Sequence, residues 1–454
     1  MNEKVSALID SYSASFTEML TKWIQIPSVK DTPAPCAPFG AEVRRMLDVA
    51  MADAAAMGFA TRTFDGYAGD ITLGDENKEM LAVLGHLDVV PAGDGWLVPP
   101  FAAVRDGDKL IGRGTSDDKG PSLCALFAMK AIKEAGIPLK RSIRMILGCD
   151  EESGWEDMAY YCQHAQMPEM GFSPDASFPL INTEKGMLSM RIKSPVAADG
   201  LQVKEMFTGE RTNVIPGESV AVLEGGQELV EKIAAYAAKT GLDYQAELVE
   251  GGVKVTATGI PGHSAYPEGR RNAIGMMLLL LRELGVEGAF KTLADVYGME
   301  HDGASLGLSC ADEVSGPLTC NMGILHLEDG VITATLDCRC PVCADLPGLM
   351  ENAKAHLPGF TVEGDWKQPH HVPADGELVS NLLAAYHEET GLPAEAQSTG
   401  GGTYAKVLKQ GVAFGAAFPD DEDLAHQANE YVYLSKMITA TKIYANALLR
   451  LCAE

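Results

Sequence analysis

MLAVLGHLDVVPAGDGW, residues 80–96, decides what kind of fold this chain can adopt. Met80 to Leu84 is a short apolar run that stops at Gly85, the pattern of a strand buried on both faces. His86 and Asp88 follow at once, two residues apart, so in extended backbone their side chains leave the same face. Ile143 to Leu147 and Val412 to Phe418 have the same texture and predict further strands. Pro121 to Glu134 and Ser435 to Leu451 instead carry apolar residues at helical spacing. Alternation of the two predicts an α/β domain built on a mostly parallel sheet with flanking helices.

The middle of the chain differs. From about Met187 to Asp375 the apolar runs are shorter and alternate, as in Gly252 to Thr258 and Gly330 to Leu336, with helical stretches at Gly226 to Thr240 and Asn272 to Leu284. That pattern predicts an inserted α+β domain with antiparallel strands. The α/β texture resumes near Glu377, so the expected division is 1–186 and 377–454 for a split outer domain and 187–376 for the insertion.

Composition bounds the function. Lys and Arg number 36 against 63 Asp and Glu, a formal charge of −27. No basic run offsets the acidity, which argues against nucleic acid and against an acidic membrane surface as partners. The apolar fraction, 46%, is that of a globular protein. Ala273 to Leu281, the longest apolar run, is about half of what crosses a bilayer. Met1 to Ile9 lacks the basic region and apolar stretch of a secretory signal. Ten scattered cysteines fit a reducing compartment, and together these features predict a soluble cytoplasmic protein. Cys340 and Cys343 form a CxxC pair, but with no second pair near them a zinc knuckle or redox motif is disfavoured.

Four stretches concentrate acids and histidines just after apolar strands, where open α/β sheets place their ligands. In 85–96, Asp88 can hydrogen-bond one imidazole nitrogen of His86 while the other binds metal. In GRGTSDDKGP, 112–121, Pro121 suits the first turn of the following helix. Asp118 is read as the cap of that helix and Asp117 as a metal ligand. In CDEESGW, 149–155, the neighbours Glu151 and Glu152 point different ways, so one can coordinate a cation while the other faces water as a general base. AHQANEYV, 425–432, adds a late histidine, His426. Two histidines and several carboxylates make a nitrogen and oxygen donor set suited to zinc-like divalent metals.

Taken together these stretches resemble a known family. GHLDVVPAGDGW, GRGTSDDKGP, DEESGW, PGHSAYPEGRRNA, GGGTYAK and HQANE occur in the order found in the co-catalytic zinc metallopeptidases, the family of aminoacylase, carnosinase, glutamate carboxypeptidase and succinyl-diaminopimelate desuccinylase. The likeness covers nearly the whole chain and looks greatest to the PepV-type bacterial dipeptidases. It implies a zinc-peptidase catalytic domain plus an inserted lid, and two divalent ions, most simply zinc, with manganese or cobalt as alternatives. Asp117 would bridge the ions, His86 and Asp175 completing one site and Glu152 and His426 the other. Glu151 would be the general base and Asp88 the partner of His86. The resemblance also implies a cis peptide between Asp117 and Asp118.

It further implies hydrolysis of an amide bond by a metal-activated water, with substrate contacts from the lid. Those contacts are His263, in a loop where Gly262 is expected to allow unusual backbone angles, then Asn213, and Arg339 on a terminal carboxylate. Gly401, Gly402 and Thr403 would add flexible backbone and a hydroxyl. At about 190 residues the insertion exceeds the roughly one hundred of a small α+β unit. In PepV-like enzymes such a lid stands in for a second subunit, so a monomeric dipeptidase acting on short unmodified peptides is expected. Two rival readings share the metal residues: a deacylase or desuccinylase of N-acylated amino acids, and an inactive metal-binding relative.

Overall fold

The computed structural model describes residues 2–197 and 200–454. The chain divides into two compact units, one of Met1–Asn182, Val372–Gln397 and Gly402–Glu454, the other of Thr183–His371 and Ser398–Gly401.

The first unit is organised by one twisted sheet. Seven of the nine strands of this sheet are β1 (Ala60–Phe64), β2 (Ala68–Leu73), β3 (Met80–His86), β4 (Ser142–Gly148), β5 (Met170–Ser173), β6 (Ile181–Glu184) and β7 (Gln410–Ala413), and they lie side by side in the order β1-β2-β4-β3-β5-β7-β6. The pairings β4/β3, β3/β5 and β5/β7 are parallel, and antiparallel strands flank this centre. Alternation explains why the central strands read as continuous apolar runs. Leu81, Val83, Met145 and Leu147 face one core, shared with the helices Ser13–Ile24, Ala41–Ala56, α1 (Lys119–Ala135) and α3 (Leu434–Cys452). Ala82, Leu84 and Ile146 face the other, closed by Met158 and Tyr161 of α2 (Glu156–His164). Both faces are buried, so neither can be polar.

Register then fixes where the chemistry sits. His86 pairs with Gly148, so β3 and β4 end level, and Val83 pairs with Phe172, so β5 ends slightly short of them at the same end of the sheet. The segments that follow them carry His86 to Asp88, Asp150 to Glu152, and Asp175. One expected strand is shorter than its apolar run. β7 stops at Ala413, and only Ala416–Ala417 pairs again, with Ala176–Ser177. Gly415 interrupts it with φ of 75°, and a Cβ there would lie 2.3 Å from the Phe178 ring.

The second unit holds an eight-stranded antiparallel sheet, from Asp243–Val249 at one edge through Gly252–Thr258, Glu218–Leu223, Val203–Thr208, Thr319–Glu328, Val331–Cys340 and Gly186–Pro195 to Thr361–Lys367. Residues of Gly252–Thr258 alternate between buried and half-buried, as period-two patterning demands. Ile274, Met277 and Leu281 of the helix Ala273–Glu283 enter its core, which accounts for the longest apolar run without a membrane. No helix among the described residues is long and apolar enough to cross a bilayer. Ser398–Gly401 returns to this unit from late in the chain, a return that sequence texture does not reveal.

Close strand packing yields a stability test. A Cβ on Gly171 in β5 would lie 2.2 Å from the Ala82 carbonyl oxygen of β3. Gly171→Ala is expected to cost about 1–3 kcal/mol by overpacking, read as a lower urea midpoint with unchanged m-value.

Candidate metal centre

His86 closes β3, and its side chain is 1% exposed. Its Nδ1 lies 3.0 Å from the Asp88 carbonyl oxygen and 3.5 Å from that residue's carboxylate. The main-chain carbonyl is therefore the nearer partner, not the side chain that sequence reasoning favoured. The Asp88 carboxylate is used elsewhere: Oδ1 and Oδ2 accept from the backbone N–H of Glu151 and Glu152, each at 3.2 Å. Nδ1–H donation to a carbonyl leaves the Nε2 lone pair free to coordinate.

Asp117 lies between two imidazoles. Its Oδ1 is 3.0 Å from His86 Nε2 and its Oδ2 is 3.1 Å from His426 Nε2. Asp175 Oδ2 is 3.6 Å from the same His86 nitrogen, and Glu152 Oε2 is 2.9 Å from the His426 nitrogen. Two overlapping donor groups result: His86, Asp117 and Glu152, and His86, Glu151 and Asp175, with ligating atoms within 4.8 Å of one another in each. Glu151 thus sits as close to His86 and Asp175 as a ligand would. Its separate role as a base comes from the resemblance, not from distance.

The peptide bond between Asp117 and Asp118 is cis. Asp118 opens α1, but its side chain does not cap that helix. Its Oδ2 instead accepts from the His86 backbone N–H at 3.1 Å and from Ser122 Oγ at 2.7 Å, tying the start of α1 to the end of β3. The expected cap is lost because the carboxylate turns inward to this better-buried pair of donors.

Charge crowding tests whether a cation fits. Burial raises the pKa of Glu151, Glu152 and Asp175, and the neighbouring Asp117 pushes each further up. Asp117 is also buried, yet hydrogen bonds from His426 and His86 hold it below its usual value. Asp117 and Glu152 together lift His426 to about 10. Among the described residues, the ion-pair partners of Asp117, Glu152 and Asp175 are the two histidines alone. Such an assembly of oxygen and nitrogen donors, over-rich in negative charge, fits divalent cations.

A second group of predicted residues gathers within the second unit. Val214 pairs with His263, and Asn213 O accepts from Ser264 N at 2.9 Å. His263 Nδ1 accepts from Ala265 N at 3.1 Å. Arg339, in the strand Val331–Cys340, is 4% exposed and donates through Nη1 to Gly400 O at 2.7 Å. Gly401 N donates to Thr399 Oγ1. Gly262 is not in the left-handed region, contrary to expectation. Its missing Cβ makes room for the Arg270 side chain, which would lie within 2.8 Å of it. Gly402 and Thr403 belong to the first unit, where Thr403 Oγ1 caps the 3-10 turn Tyr404–Val407 by accepting from Ala405 N. Cys340 and Cys343 enter no metal-ligating group among the described residues, and all ten cysteines are free.

Residues 82–450 match the model of peptidase family M20/M25/M40. The chain belongs to this family. It is 35% identical over 443 residues to a Bacillus subtilis strain 168 protein named "Putative dipeptidase YtjP", covering 95% of this chain and 96% of that one. Its fold is similar to that of human carnosine dipeptidase 1, at 17% identity and TM-score 0.59 over 99% of both chains. It is also similar to the di-peptidase Dug1p of Saccharomyces cerevisiae, at 16% identity and TM-score 0.60 over 98% of each.

In this M20/M25/M40 chain, further buried groups hold the candidate ligands in place, and sequence reasoning passed over them. Glu430, fully buried, accepts from Arg113 Nη1 at 2.7 Å, Gly114 N at 3.1 Å, Ser116 N at 2.8 Å and Asp117 N at 3.3 Å. It pins the loop that presents Asp117. Asp157 does the same for the loop of Glu151 and Glu152, accepting from Cys149 N at 2.6 Å and Asp150 N at 2.8 Å and from the Tyr404 hydroxyl. Both lie in or beside the quoted motifs, Glu430 four residues after His426. That position was the available signal. Glu430→Ala strands Arg113 as a buried charge, so unfolding free energy is expected to fall by about 3–5 kcal/mol, measured by urea denaturation against Glu422→Ala on the surface.

Proposed function

We propose that this chain is a metal-dependent dipeptidase that hydrolyses the amide bond of short unmodified peptides. The observation that carries the reading is Asp117 held between two imidazoles, one facing each carboxylate oxygen at 3.0 and 3.1 Å. His86, Asp117 and Asp175 would hold one divalent ion and Asp117, Glu152 and His426 the other, most simply zinc, with manganese or cobalt as alternatives. When bound, the ions supply Lewis acidity and lower the pKa of water.

The chain's own groups do the rest. Glu151 accepts the proton of the attacking water and returns it to the leaving amine. Its carboxylate makes no hydrogen bond to protein among the described residues, while its backbone N–H is anchored on Asp88. The group is therefore positioned yet uncommitted. Asp88 also fixes the tautomer of His86 through its carbonyl. Asn213, His263, Arg339, Gly401, Gly402 and Thr403 are proposed substrate contacts, with Arg339 taking the terminal carboxylate of the peptide. The 187–376 insertion would be the lid, standing in for a second subunit in a monomer. The free state of the ten cysteines supports a reducing, cytoplasmic setting.

Chelated protein reconstituted with zinc, manganese or cobalt is expected to release free amino acids from unmodified dipeptides and to act poorly on tripeptides. Turnover of N-acylated amino acids alone would overturn this reading in favour of a deacylase. Glu151→Gln is expected to lower kcat by about 10²- to 10⁴-fold while metal content, read by elemental analysis, stays at the wild-type level. Activity within a few-fold of wild type would remove Glu151 from the proton-transfer role.

A further inference from the structure

Asp337 lies on the same strand as Arg339, two residues earlier, so both side chains leave one face of the sheet. Its side chain is 8% exposed. A single oxygen, Oδ2, accepts from Arg339 Nε at 3.0 Å and from Ser264 Oγ at 2.5 Å. Ser264 is buried, follows His263 directly, and is held on its other side by Asn213 O. Gly400 O takes Arg339 Nη1 at 2.7 Å, and a Cβ on Gly400 would lie 2.5 Å from Ala265 Cβ. One carboxylate oxygen is thus the point at which Arg339 and the His263 loop meet.

We propose that Asp337 is a positioning residue that sets specificity for a free terminal carboxylate, acting through Arg339, and that it couples this recognition to the placement of His263 through Ser264. The inference rests on the dipeptidase reading above and on Arg339 as its carboxylate contact. With Nε bound to Asp337 and Nη1 to Gly400 O, the guanidinium plane is fixed by two bonds in different directions. Nη2 is left to meet the ligand, so an acceptor must arrive in that plane. A substrate whose C-terminus is amidated offers one acceptor and two N–H donors, which oppose the donors of Arg339. Discrimination then depends on the plane being held, and Asp337 holds it. The same oxygen restrains the Ser264 hydroxyl, so a shift in the guanidinium is transmitted to the residue beside His263.

The test compares one dipeptide with its C-terminal amide on metal-reconstituted enzyme. Wild type is expected to prefer the free acid in kcat/KM. Asp337→Asn is expected to reduce that preference at least tenfold, mainly through a higher KM for the acid, with metal content unchanged. Ser264→Ala is expected to lower kcat several-fold while keeping the preference, Ser264→Thr to restore kcat, and the Ser264→Ala/Asp337→Asn double variant to be no worse than Asp337→Asn within about twofold. A folded Asp337→Asn that loses activity equally on both peptides has a merely structural Asp337 and overturns the proposal. If that variant does not fold, the serine pair decides: equal kcat in Ser264→Ala and wild type overturns the coupling, and recovery in Ser264→Thr supports it. Wild type inactive on both peptides instead refutes the dipeptidase reading itself.

Discussion

Carboxylates crowded beside two imidazoles are the constraint on which the rest of the first unit depends. Asp117, Glu151, Glu152 and Asp175 converge on His86 and His426, and a buried carboxylate is costly unless charge or donors meet it. With no lysine or arginine among the described residues paired to Asp117, Glu152 or Asp175, the histidines carry the compensation and divalent ions would complete it. Such a cluster cannot form on mobile loops, because mutual repulsion would spread the acids apart. The sheet supplies the rigidity: three neighbouring parallel strands finish at the same end, and both faces beneath them are sealed by apolar residues.

A second tier of buried acids solves the remaining problem, that the segments bearing the candidate ligands are loops whose backbone N–H groups have no strand or helix to pair them. Asp88 takes the N–H of Glu151 and Glu152, Asp157 those of Cys149 and Asp150, and Glu430 those of Gly114, Ser116 and Asp117. Hydrogen bonds to a charged acceptor are about twice as strong as neutral ones. The strong acidity of the chain is therefore not only solubilising surface. Part of it is internal scaffolding, in which one carboxylate replaces a stretch of regular secondary structure.

What could be read from sequence follows the range of the interactions involved. Met80 to Leu84 and Ile143 to Leu147 announce strands because burial on both faces leaves a local apolar signature, and Asn272 to Leu284 announces a helix by its spacing. The order of motifs located His86, Asp117, Glu151, Glu152, Asp175 and His426, all now near one another. Three details were not legible. Whether Asp88 meets His86 by carboxylate or carbonyl depends on a donor 63 residues away. Asp118 abandons its cap for His86 N across a strand end. The Val412 to Phe418 run breaks because Phe178 fills the space at Gly415. Each is a contact between distant segments, and no local pattern encodes it.

In the second unit the balance of charge runs the other way. Arg339 is a buried cation, and Asp337 beside it compensates that charge almost in place, at 3.0 Å. An incoming carboxylate would therefore meet a nearly neutral pair, not a bare cation. Coulomb attraction to such a pair is weak, and desolvating a third charge opposes binding. What remains favourable is geometric: a fixed donor direction that a planar carboxylate matches and that other end groups do not. Binding and selectivity then rest together on that fixed direction, so releasing the guanidinium weakens both. On the dipeptidase reading proposed above, one product amino acid would carry the same carboxylate and must leave, and tight charge pairing would retain it as firmly as substrate.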